Sequence, residues 1–77
     1  MMRLVKKSLN LGGHATSVAL EREFWHVLQA CAASQHQSLA ALIAEIDAGR
    51  GQAPLASALR VYALLHGAHI QSIKDLG

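Results

Sequence analysis

The chain has 77 residues, 52% of them apolar and 16% charged, with a single cysteine and a net charge of +2. That is one small domain, with no internal disulfide framework and no strongly basic character. A domain of this length buries only about 60% of its unfolded surface, so the apolar excess favours assembly of copies into a homodimer or a tetramer.

Charge is unevenly spread. Residues 1–20 carry Arg3, Lys6 and Lys7 and no acid, +3 in all. Residues 21–77 carry four bases (Arg22, Arg50, Arg60, Lys74) against five acids (Glu21, Glu23, Glu45, Asp47, Asp75), −1 in all. Two such N-terminal ends brought together would present a basic patch. The start has bases but no apolar stretch behind them, unlike a secretory signal. The uncharged run 29–44 is interrupted by Ser34-Gln35-His36-Gln37-Ser38, so no membrane span is expected, and the cytoplasm is the expected location.

Residues 1–7 read as a basic arm and 8–20 as a β-hairpin. Apolar or β-branched residues alternate at Leu9 and Leu11, then at Thr16, Val18 and Leu20. Gly12-Gly13 between the two runs suits a two-residue type I′ turn, which needs positive φ at both positions. That turn pairs Leu11 with His14, Ser8 with Ser17 and Lys7 with Val18. One face then carries Leu9, Leu11, Thr16, Val18 and Leu20, and the other Lys6, Ser8, Asn10, Ala15, Ser17 and Ala19.

A helical period begins near Arg22. Phe24, Val27, Leu28 and Cys31 form an apolar stripe over 22–34, with Trp25 one step off it. Ser38 is a natural N-cap for a second helix over 39–48, whose stripe is Leu39, Leu42, Ile43 and Ile46. Pro54 suits the start of a third helix over 54–66, expected to bury Leu55, Ala58, Leu59, Tyr62 and Leu65 and to end at Gly67. Residues 69–76 read as a tail. All of this belongs to a single domain, 1–77.

Chemistry-bearing constellations are few. His66 and His69 are three apart, with Gly67 between them, and Cys31 has no cysteine partner at ligand spacing, so no metal is expected. The LGGH run lacks the helix and the Lys-Ser/Thr pair of a phosphate loop. No nucleophile–base order, carboxylate pair or cofactor fingerprint stands out. The expectation is no enzyme, no cofactor, no small-molecule substrate and no membrane partner.

The order of strand, helix, turn and serine-capped helix resembles the ribbon-helix-helix family of bacterial DNA-binding proteins. The residues that carry it are TSVALEREFWHVLQACAAS and QSLAALIAEIDAGRG, with PLASALRVYALL as an added third helix. The resemblance implies a mostly α homodimer with a short β ribbon, an N-terminal hairpin and that third helix. One strand from each copy would pair antiparallel, and the ribbon would lie in or along the major groove of duplex DNA. Val18, Leu20, Phe24, Leu28, Leu42, Ile43 and Ile46 would bury the dimer core. Arg3, Lys6 and Lys7 would meet phosphates, Ser8, Asn10 and Ser17 would face base edges, and Ser38 would cap a helix that grips the backbone. The function implied is a transcriptional regulator. Ala15 and Ala19, at ribbon positions that read bases in such proteins, have nothing to hydrogen-bond with. That leaves an alternative, a module of the same fold that docks protein instead of DNA. An antitoxin is a weaker alternative, because only about ten residues follow the third helix.

Overall fold

The computed structural model describes the backbone of residues 3–76 and the side chains of residues 3–67. Five elements follow one another: β1 (Leu4–Leu11), β2 (His14–Glu21), α1 (Arg22–Ser34), α2 (Leu39–Gly49) and α3 (Leu55–Leu76).

Gly12 and Gly13 take φ of 59° and 88°, the left-handed backbone that a two-residue hairpin requires. The Asn10 side chain secures the turn, its Oδ1 accepting the Gly13 N–H at 3.1 Å. From there β1 and β2 pair in register, with Leu11 opposite His14, Leu9 opposite Thr16 and Ser8 opposite Ser17. Pairing runs on past the last expected pair, Lys7 with Val18, through Lys6 and Ala19 to Leu4 and Glu21. Most of the expected basic arm is therefore strand. Trp25 explains the extension. It is buried, and its indole Nε1–H donates to the Val5 carbonyl at 2.8 Å, tying the start of β1 to α1.

Trp25 also corrects the expected helix face. The buried residues of α1 are Trp25, Leu28, Cys31 and Ala32, while Phe24 and Val27 are half-buried. The face is turned because α1 packs against β2 and against both other helices. Its end is a Schellman closure. The His36 N–H bonds to the Ala33 carbonyl and the Gln37 N–H to the Ala32 carbonyl, with His36 at φ 57° in the position usually given to glycine. Ser38 then caps α2, its Oγ accepting the Ala41 N–H at 3.0 Å.

The third helix departs most from expectation. It does not stop at Gly67 but continues to Leu76, so residues 69–76 are helical backbone and not a tail. Gly67 is buried where α3 crosses α1. A methyl group built on it would run into Val27 Cγ1. The glycine is there for close approach, and a β-branched valine has little rotamer freedom with which to yield. The buried face of α3 is correspondingly Leu59, Ala63 and Gly67, spaced by four. Leu65, expected inside, is 71% exposed and lies with Val61 and Leu64 on an outward apolar stripe.

The core gathers under the hairpin. Leu20, Leu28, Ile43 and Leu59 have no exposed surface, and Leu42 has 1%. One chain encloses these side chains by itself.

Candidate nucleic-acid interface

Strand alternation sets two different faces on the hairpin. Val5, Leu9, Leu11, Thr16, Val18 and Leu20 turn toward the helices, buried or half-buried. The outer face is a small grid in which Lys6 sits opposite Ala19, Ser8 opposite Ser17 and Asn10 opposite Ala15. All but Ala19 are exposed. The two serine Oγ atoms lie 3.4 Å apart. The Asn10 oxygen is engaged by the turn, which leaves its amide N–H groups for an outside acceptor.

The structure therefore brings Lys6, Ser8, Asn10 and Ser17 onto one surface. Arg3 is exposed just before β1. Lys7 is elsewhere. It pairs with Val18 on the helix-facing side, half-buried, with Nζ 5.7 Å from the centre of the Trp25 ring. That is a cation–π contact, and it takes Lys7 off the outer surface. Alternation from Leu9 and Leu11 already put Lys7 on this side.

Beside the face, at the end of β2, Glu21 is bound by α3. Arg60 Nε and Nη2 donate to its two carboxylate oxygens at 3.0 and 3.4 Å. The Arg60 hydrogen bond holds the Glu21 carboxyl below its ordinary pKa, with a backbone hydrogen bond adding to the effect. The pairing offsets a negative charge that would otherwise repel phosphate. Arg60 also lies 5.9 Å from the Phe24 ring.

At Ser38 the hydroxyl is committed to the cap, and the Leu42 N–H bonds to the Ser38 carbonyl. The Leu39 and Ala40 amides belong to the open first turn. No acidic side chain lies in that turn to neutralise the helix dipole, so it is suited to an anion. This turn belongs to a different element from the sheet face, although α2 packs against β1.

The edge of β2 matters as much as its face. A two-residue turn makes Leu11 and His14 a hydrogen-bonded pair, and antiparallel pairs alternate. His14, Thr16, Val18 and Leu20 therefore spend their backbone groups on β1. Ala15, Ser17 and Ala19 direct their N–H and C=O groups to the other edge, which no strand among the described residues pairs. Of the expected dimer-core residues, Val18, Leu20, Leu28, Leu42 and Ile43 are already buried within one chain. Phe24 and Ile46 are half-buried and keep surface for a partner.

Other features carry less chemistry. An apolar groove of about 500 Å³ opens between α2 and α3, lined by Ile46, Ala58, Val61 and Leu65 among others. Cys31 is buried, and burial pushes its thiol pKa up. Among the described residues no three His, Cys, Asp or Glu side chains cluster, and no helix is long and apolar enough to cross a membrane.

A hairpin with an open ladder edge, followed by a helix and a serine-capped helix, defines a β-ribbon and helix protein. The family model for the ribbon-helix-helix domain matches residues 4–66, and the chain belongs to that family, whose members are commonly DNA-binding transcription regulators. Searches of curated proteins and of solved structures gave no match.

Proposed function

We propose that the protein acts as a homodimer that binds duplex DNA as a transcriptional regulator of modest sequence preference. The observation that carries this reading is the outer face of the hairpin. It sets Lys6, Ser8, Asn10 and Ser17 side by side, next to a β2 edge whose backbone groups are unspent. Two copies pair along that edge near Ser17, and Phe24 and Ile46 complete the buried surface. Lys6 and Arg3 contact phosphates, the polar face formed by Ser8, Asn10 and Ser17 turns toward the DNA, and the capped start of α2 holds the backbone. Lys7 adds to the positive field without touching DNA. Serine discriminates bases weakly and alanine makes no hydrogen bond at all, and each missing bidentate contact removes about 1–3 kcal/mol of discrimination.

Binding measured between 50 and 200 mM salt tests the reading. Log affinity is expected to fall linearly with log salt concentration. Lys6→Ala removes one phosphate contact per subunit and is expected to lower the slope by about 1.8 per dimer, whereas Lys7→Ala leaves it nearly unchanged. Weak association at both salt concentrations, with no effect of Lys6→Ala, favours the second reading. In that reading the alanine-bearing face or the Val61, Leu64 and Leu65 stripe docks protein, as exposed apolar patches commonly do.

A further inference from the structure

We infer that the sheet straddles the major groove of DNA instead of entering it, with Lys6 of each subunit on the phosphates of opposite DNA strands. The inference rests on the DNA-binding reading above and specifies how the face is used.

It begins with strand count. In each chain β1 occupies one edge of β2 over the whole strand, from Leu11 and His14 to Leu4 and Glu21. That leaves β2 its other edge to meet the β2 of a second copy. A dimer built along it has four strands, with the two β2 strands at the centre. At about 4.8 Å between strands, the outer backbones stand roughly 14 Å apart before side chains are counted. The major groove is about 12 Å wide. A two-stranded ribbon fits such a groove, but this sheet does not.

The distribution of side chains agrees. Pairing centred on Ser17 sets that residue against the partner's Ser17, and Ala15 against the partner's Ala19. The outer face then has a middle row of four serines, Ser8 and Ser17 from each copy. Alanines flank the two central serines. The long side chains, Lys6 and Asn10 of each copy, occupy the four corners. A ribbon that probes the groove floor needs long side chains at its centre and short ones at its flanks. This face has the reverse, with its reach at the rims.

The span fits two DNA backbones. The two Lys6 residues are on diagonal corners, three strand spacings apart across the sheet and four residues apart along it. That places their Cα atoms about 20 Å from each other, on either side of the groove. Trp25 holds β1 in place through the Val5 carbonyl, so the outer strands are fixed parts of the sheet.

The test uses the full chain and a mixed-sequence duplex of about 30 base pairs, untreated or methylated beforehand at guanine N7 with dimethyl sulfate. N7 lies on the floor of the major groove. A straddling sheet is expected to bind both duplexes within about threefold, with Lys6→Ala weakening both equally. A loss of tenfold or more on the methylated duplex overturns the straddling geometry and leaves the DNA-binding reading intact. Absence of salt-dependent binding to the untreated duplex overturns that reading and the geometry with it.

Discussion

Ser17→Pro is expected to yield a folded single chain that has lost DNA binding. The Ser17 N–H points away from β1, because Ser8 and Ser17 face each other as a non-hydrogen-bonded pair in the alternation set by the glycine turn. Proline at such a position costs the hairpin nothing in its own ladder, and edge strands tolerate it where the missing N–H faces outward. The proposed pairing between copies, by contrast, is centred on that group. Sedimentation is expected to show a monomer with helical circular dichroism preserved. DNA affinity at physiological salt is expected to drop on the order of 100-fold or more, since separation of the copies halves the phosphate contacts. Ser17→Ala, which keeps the N–H, is expected to remain a dimer. A dimeric Ser17→Pro protein would show that the copies meet elsewhere.

Leu28→Ala carries the largest expected loss of stability. Leu28 is fully buried on α1, in one cluster with Leu20, Ile43 and Leu59. Truncating such a leucine costs about 2–5 kcal/mol, through lost transfer free energy and the cavity left behind. Total stability for a domain is about 5–15 kcal/mol. At about 4–8 °C per kcal/mol for a domain of this size, thermal unfolding is expected to fall by at least about 8 °C. The partners of Leu28 lie in its own chain, so the same loss is expected in the Ser17→Pro background. A loss that vanishes there would mean that Leu28 packs against the second copy.

The turn and the cap were legible in the sequence because each depends on a few adjacent residues. Gly12-Gly13 fixes the register of every hairpin pair, and Ser38 marks the start of α2 through one local hydrogen bond. The face of a helix buried on several sides was harder to see. A count of large apolar residues puts Phe24 and Val27 inside α1 and Leu65 inside α3. The molecule buries Trp25, whose indole is tied to the Val5 carbonyl, and it buries Ala32, Ala63 and Gly67, small residues that an apolar count undervalues and that, at Gly67, a close crossing of α1 and α3 requires. The same oversight ends α3 at Gly67, where the glycine serves packing. Of the site, the grid of Lys6, Ser8, Asn10 and Ser17 follows from alternation alone. The departure of Lys7 from that grid is in the alternation too, but its positive charge suggests phosphate before its position is considered. The Glu21–Arg60 pair joins residues 39 apart in sequence, and no local pattern announces it.

Backbone amide hydrogen exchange at Ser17 bears most directly on the pairing of two copies along β2. Slow exchange at Ala15, Ser17 and Ala19 is expected, comparable to Thr16 and Val18 and accelerating on dilution. Rapid exchange at those three amides at every concentration, with Thr16 and Val18 still protected, would contradict it.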